Sequence, residues 1–273
     1  MLEQFTYTNS FNETLDFGKN GLFVNENDLR DFAWGITSKN NKISGFKKGI
    51  VSKTIPVVLN CTSEAEGVIL RNKLFEVFEK DVLSKQHGKL HIGDYYLRCF
   101  ITGSSKSSYL MHKSCMVVSL TVQTDYPEWI KETTTTYQLL DKNDAGFLDF
   151  PIDFKYDYKN QYTNTSITNE SFLPSNFILV IEGHVNNPTL YINNHKYSVN
   201  VTVGTGENLT IDSVNKTITL NKSGELLNCF NDRSRDSYIF EKIPTGTSVI
   251  ASPGEQIKFT LTLLEERSEP KWT

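Results

Sequence analysis

Strict two-residue alternation near the end of the chain limits its fold more than any other feature. Between Gln256 and Leu263, Ile257, Phe259, Leu261 and Leu263 alternate with Lys258, Thr260 and Thr262. Successive side chains of a strand point to opposite faces, so this segment is a strand with one buried and one wet face. A lone strand leaves its backbone groups unpaired, so it needs companions. They precede it. Asn176 to Ile181 is strand-like, and Asn193-Asn194 offers a turn between Leu190-Tyr191-Ile192 and His195-Lys196-Tyr197. Gly204 and Gly206 set off Leu209-Thr210-Ile211, and Asp212-Ser213-Val214-Asn215 turns into Lys216-Thr217-Ile218-Thr219-Leu220. Short strands with turn residues between them predict a β-sandwich over residues 173–273.

The first half is patterned differently. Phe5-Thr6-Tyr7 fits a half-buried strand, Asn20-Gly21 a tight hairpin turn, and Asn40-Asn41 with Gly45 a loop. Val51 to Leu59 reads as a strand in which Pro56 favours an edge, a bulge or a break. Ser63 and Glu66 have capping-box spacing, and Leu70, Leu74 and Phe78 then recur every four residues. This predicts one helix over about residues 63–85, packed on a sheet, with an exposed partner-binding face as the alternative. Gly93-Asp94 turns a hairpin within Leu90 to Ile101, and Cys115 to Val122 is a further strand. An antiparallel β domain with one helix is expected over residues 1–130. Residues 131–172 form a connection too aromatic for a simple linker, with Tyr156, Tyr158 and Tyr162 among Lys, Asn and Thr. Extended strands that reach a neighbour, or disorder over Lys159 to Asn169, both fit it.

A chain of 273 residues accommodates two domains of ordinary size. Net charge is −4 with no basic tract, which argues against non-specific nucleic-acid binding. Met1-Leu2-Glu3-Gln4-Phe5-Thr6 lacks a positive region followed by an apolar stretch, so no secretory signal is expected. No apolar run nears the ~20 residues of a membrane span, so no membrane anchor is expected. Cys61, Cys99, Cys115 and Cys229 form no CxxC pair and read as free thiols, with a Cys99–Cys115 disulfide as the exception.

Catalytic patterns are missing. His87, His91, His112, His184 and His195 form no HExxH, and there is no GxSxG or phosphate-binding loop. Gly204-Thr205-Gly206 is a turn, and Asp141, Asp144, Asp149 and Asp153 miss the oxygen-ligand order of a calcium loop. No catalytic residue, cofactor or metal is expected. Sugar binding by Tyr191, Asn193, His195, Asn208 and Arg233 is the alternative for the sandwich. The polar loop Asn231 to Asp236 fits either a subunit pin or a hydrated turn.

Some segments resemble a known family. They are Leu209 to Ile218, Ser237-Tyr238-Ile239-Phe240-Glu241-Lys242-Ile243-Pro244-Thr245-Gly246, Pro253-Gly254-Glu255 and Glu266-Arg267-Ser268-Glu269-Pro270-Lys271-Trp272. With the early aromatic hairpins, the single helix and the Tyr126-Pro127-Glu128-Trp129 exit, the whole chain resembles the distal tail (Dit) proteins of phages with long non-contractile tails. That resemblance implies a mainly β protein whose amino-terminal domain closes a hexameric ring and whose galectin-like or carbohydrate-module-like sandwich projects outward. It also implies a hub between tail tube and baseplate, with a channel through which DNA passes without specific binding. Its contacts would be the major tail protein and the tail tip or tail-associated lysin, with receptor-binding proteins as a further candidate. The site would be the virion tail tip, after assembly in the bacterial cytoplasm. Tyr7, Tyr126, Trp129, Arg233 and Trp272 are the expected assembly contacts. A carbohydrate-binding or receptor-binding baseplate module is the alternative function.

Overall fold

The computed structural model describes residues 4–24, 26–107, 114–139, 165–253 and 256–272. The expected acidic loop Asp141 to Asp153, the tyrosines 156, 158 and 162, and His112 lie outside the described residues. The chain is mainly β and divides into two compact units. Residues 1–131 and 267–273 form the first, and residues 132–266 the second. The second unit is thus inserted into the first, whereas the sequence suggested consecutive domains.

The first unit contains β1 (Phe5–Thr8), β2 (Thr14–Phe17), β3 (Leu22–Val24), β4 (Gly35–Lys39), β5 (Lys42–Lys47) and β6 (Val51–Asn60). Helix α1 (Glu64–Ser84), β7 (Gly88–Ile92), β8 (Tyr95–Ser107), β9 (Cys115–Thr124) and the start of β10 (Trp129–Leu139) complete it. The strand β8 serves two sheets. Residues 95–99 pair with β7, which pairs with β1 and through it β2. Beyond them, residues 100–107 pair with β9, which continues to β6 and β3. A register shift between Ile101 and Gly103 marks the transfer. Bulges bend a strand in this way.

Asn20 and Gly21 both have positive φ, and Leu22 N donates to Lys19 O at 3.1 Å, as a two-residue turn requires. Yet β3 does not pair back with β2. Leu22, Phe23 and Val24 instead face Leu59, Val58 and Val57 of β6, so the turn passes the chain between sheets. Pro56 is accommodated because β3 covers only Val57 to Leu59, while β9 holds the other edge.

Helix α1 begins at the expected cap: Ser63 Oγ accepts from Glu66 N at 3.2 Å. It ends at Lys85, which is left-handed at φ 55°. Leu74, Val77 and Phe78 enter the core with Trp129, Leu97 and Val122. Asp81 on the same face is fully buried. Its Oδ2 accepts from the Tyr7 hydroxyl at 2.6 Å, and its Oδ1 from Ser10 N and Oγ at 2.8 and 2.7 Å. A buried carboxylate without such donors would be costly. Gly88 passes so close that a Cβ there would sit 2.1 Å from the Tyr7 hydroxyl.

The second unit contains the rest of β10, β11 (Thr165–Asn169), β12 (Asn176–Glu182), β13 (Val185–Asn186), β14 (Thr189–Ile192), β15 (His195–Ser198) and β16 (Thr202–Val203). It continues through β17 (Asn208–Asp212), β18 (Thr217–Lys222), β19 (Glu225–Asn228), β20 (Gly246–Ala251) and β21 (Ile257–Arg267). One sheet runs β19-β18-β17-β12-β21-β10, and a four-stranded sheet runs β11-β20-β14-β15. Both supply a single core that includes Phe177, Leu190, Ile211, Ile250, Phe259 and Leu261. The alternation of β21 is realised: Ile257, Phe259 and Leu261 are buried, and Lys258 is exposed. Residues 165–169, where disorder was one expectation, form a strand paired with β20. The turn at Asn193-Asn194 joins β14 and β15 with both residues at positive φ.

Candidate assembly surface

The least buried element of the first unit is the β4–β5 ribbon, which the sequence suggested only as a loop. Asn40 and Asn41 take φ 52° and 58° and close it between Lys39 and Lys42. Side chains of directly paired residues share a face. Ile36 pairs with Phe46, and a register shift between Thr37 and Ser38 brings Ile43 opposite Ser38. Trp34, Ile36, Ile43 and Phe46 therefore lie on one face, and Thr37, Lys39, Lys42 and Lys47 on the other. The irregularity is what moves Ile43 onto the apolar side. All four apolar side chains are exposed, and Trp34 meets Phe46 edge-on at 6.5 Å. An isolated two-stranded ribbon is marginal in water. Its one-sided apolar face is shaped for burial against something else.

The base of the ribbon is anchored. Lys48 Nζ lies 2.7 Å from both Glu128 Oε1 and Ser268 Oγ, and 4.4 Å from the Trp34 ring centroid. Nearby, Arg30 donates to Pro270 O at 2.7 Å and stacks its guanidinium 3.8 Å from the Trp272 ring centroid. The returning segment 268–272 thus fastens onto the loop before the ribbon and onto the ribbon's base. Lys53, also buried, donates to Asp28 O and Asp31 O. Burial pulls its amine below the usual lysine range, opposed by Asp28 and Asp31.

The expected contact residues occupy different settings. Tyr7 and Trp129 are buried in the core of the first unit. Burial, Cys99 and Asp81 push the Tyr7 phenol above its ordinary value. Side chains so enclosed shape strands and cannot themselves touch a neighbour. Tyr126 is half-buried beneath Arg98, 4.7 Å from its ring centroid. Trp272 is 74% exposed despite its Arg30 stack. In the second unit, Arg233 donates to Phe230 O at 2.5 Å and covers the Phe230 ring, which orders its own loop.

The sugar-binding candidates do not converge on one sheet. Asn208 lies on β17, whereas Tyr191 and His195 lie on β14 and β15 of the four-stranded sheet. Asn193 is engaged with Ser248, and His195 Nε2 with Tyr238 O at 2.9 Å. The four cysteines are free thiols, and Cys99 and Cys229 are buried. Cys99 precedes Phe100, which pairs with Gln123, whereas Cys115 pairs with Asn60 at the far end of β9. A bond between them is therefore incompatible with the register. Among the described residues, no group of three or more His, Cys, Asp or Glu is placed to hold a metal. None of the helices there is long and apolar enough to cross a membrane.

The sequence matches no family model and no curated protein. Solved structures do match, over nearly the whole chain. The Dit protein of phage SPP1, described as a paradigm of the hub adsorption apparatus in phages infecting Gram-positive hosts, superposes with a TM-score of 0.60. It is 8% identical, and the match covers 96% of this chain and 99% of that one. A chain of the phage P2 baseplate in its activated conformation with Ca gives a TM-score of 0.64 at 12% identity, covering 99% and 100%. The corresponding baseplate with Sr gives 0.60 at 12% identity, covering 96% and 98%. This is the fold of phage hub and baseplate proteins. The resemblance seen in the sequence extends over both units, since each comparison spans them.

Proposed function

We propose that this chain is a distal tail subunit: a non-catalytic hub, six copies of which close a ring between phage tail tube and baseplate. The observation that carries this reading is the end-to-end match, with 96–99% of this chain aligned to hub and baseplate chains that are themselves covered almost completely. The β4–β5 ribbon supports it independently, because an exposed one-sided apolar arm suits contact between subunits better than chemistry.

In this reading the ring works mechanically. Closed rotational symmetry sets one patch of each copy against a different patch of the next and leaves no interface free. DNA passes through the opening without sequence readout, and the net charge of −4 avoids general phosphate attraction. The partners are the major tail protein, the tail tip or tail-associated lysin, and receptor-binding proteins. The place is the virion tail tip, reached after assembly in the bacterial cytoplasm. Electron microscopy of virions carrying a labelled copy tests this directly. Label at the junction of tube and tip, in six copies, is expected. Its absence from that junction in purified particles refutes the proposal.

A further inference from the structure

Like the ribbon, the outward side of α1 is apolar and uncovered among the described residues. The inward side of the helix holds Leu74, Val77, Phe78 and Asp81, and an ordinary packed helix would be polar opposite them. Here Val68, Ile69, Phe75, Val82 and Leu83 are exposed, with Ile69, Phe75 and Leu83 at 67%, 63% and 74%. Val68, Phe75 and Val82 are spaced seven apart, and Ile69 and Leu83 fourteen apart, so they fall on one side along the helix.

We propose that the apolar face of the β4–β5 ribbon of one copy seats on this outward strip of α1 in the next copy. The inference rests on the ring reading and names the two surfaces that would meet in it. Three observations favour this occupant. First, the dimensions agree. Five or six strand residues at about 3.4 Å each reach ~17–20 Å, and the helix from Val68 to Leu83 rises ~22 Å at 1.5 Å per residue.

Second, the charges are opposite. The ribbon carries Lys39, Lys42 and Lys47, with no acid between residues 35 and 47, and Lys48 at its base is already held by Glu128. At helical spacing the middle of the outward side of α1 carries Glu76 and Glu79, while Glu64, Lys73 and Lys80 fall on its flanks. Lys80 is already held by Glu13 at 2.6 Å. Lys39 and Lys42 sit at the ribbon tip, where long stems carry their amines round the edge of an apolar contact. Third, like-with-like pairing is penalised. Ribbon on ribbon gathers lysines, and helix on helix opposes Glu76 to Glu76 and Glu79 to Glu79. Two unlike surfaces on one chain are what a closing, head-to-tail ring requires.

A mixed-isotope crosslink tests the pairing. Light protein carrying benzoylphenylalanine at Phe46 is mixed with heavy unmodified protein, assembled, irradiated and digested. Heavy peptides from residues 64–84 are the expected adducts, at least tenfold above those from any other segment. Light α1 peptides alone would mean that the ribbon closes on its own helix. Heavy ribbon peptides would mean ribbon-to-ribbon contact. Either result overturns the inference. Native mass measurement of the same sample separates the two levels of the argument. Hexamers without heavy α1 adducts remove the pairing and leave the ring intact. Monomers at every concentration, with no intermolecular adduct, remove the pairing, and the labelled virions then decide the ring reading separately. As a second arm, Glu76→Lys with Glu79→Lys should lower the hexamer population about tenfold, and Lys39→Glu with Lys42→Glu should restore it. Absence of rescue, with each variant folded by tryptophan fluorescence, counts against the contact.

Discussion

Replacing Tyr7 by Phe isolates one bond of the buried carboxylate network. The ring and its edge contact with Phe78, at 5.2 Å, are kept, and only the hydroxyl is lost. Asp81 Oδ2 then loses a 2.6 Å hydrogen bond in a fully buried site, while Oδ1 keeps both Ser10 donors. A hydrogen bond to a charged group contributes ~1.5–3 kcal/mol, so a loss of ~2 kcal/mol is expected. With a urea dependence of ~2 kcal/mol per molar, the unfolding midpoint should fall by ~1 M. The assay is selective. All three tryptophans, Trp34, Trp129 and Trp272, belong to the first unit, and Trp129 is fully buried there. Tryptophan fluorescence therefore follows this unit alone. Two further variants fix an order. Ser10→Ala removes a hydroxyl donor from the same carboxylate but leaves Oδ1 its backbone donor, so its cost should fall at the low end of that range, ~1.5 kcal/mol. Asp81→Asn offers one acceptor atom where two oxygens receive three donors, so its amide nitrogen must face a donor, at ~3 kcal/mol. A Tyr7→Phe shift below about 0.2 M, or an Asp81→Asn cost no greater than that of Ser10→Ala, would refute the reasoning, taking ~2 kcal/mol per molar as before.

Other outcomes follow from the same geometry. Gly88→Ala forces a methyl to within 2.1 Å of the Tyr7 hydroxyl and 2.6 Å of Asp81 Oδ2, and should cost at least ~1–3 kcal/mol in the same titration. Hydrogen bonds from Lys80 first, and Asn9 next, hold the Glu13 carboxyl below its ordinary value. A depressed folded value gives stability that is present above the unfolded pKa and lost as pH falls through the folded one. The destabilisation caused by Glu13→Gln should thus be seen at neutral pH and vanish in acid; a difference that persists below pH ~3 contradicts it. Burial pushes the Cys99 thiol upward and encloses it, so alkylation of native protein should spare Cys99 while labelling half-buried Cys61 and Cys115, as peptide mapping would show. Trp272→Ala should reduce hexamer abundance in native mass spectra with the first unit still folded, and unchanged abundance would argue against an interface role.

Local patterns were legible in the sequence, and long-range partners were not. Alternation marked β21 because its one-sided burial is written into Ile257, Phe259 and Leu261. Ser63 and Glu66 marked the start of α1 because capping involves residues three apart. The Asn20-Gly21 turn was readable, but the transfer of Leu22 to β6 was not, since it depends on Leu59, far along the chain. The ribbon escaped for a related reason. Its irregularity at Thr37–Ser38 disrupts simple alternation, and only the pairing places Ile43 beside Ile36. Asn40-Asn41 between apolar residues was the available signal. Asp81 falls among charged residues of α1 and looks solvent-facing until Tyr7 and Ser10, more than seventy positions earlier, close over it.

Because residues 267–273 follow the inserted unit, the ribosome completes residues 132–266 before it reaches this second segment of the first unit. Domains of a nascent chain commonly mature in order of synthesis. Here the order is inverted: residues 132–266 emerge whole while Arg30 and Lys48 still wait for Pro270 and Ser268. The β4–β5 arm, which Lys48 and Glu128 can hold earlier, gains its remaining anchors only when translation has passed the insert. Such timing delays the last fastening of the arm until the insert has been synthesised.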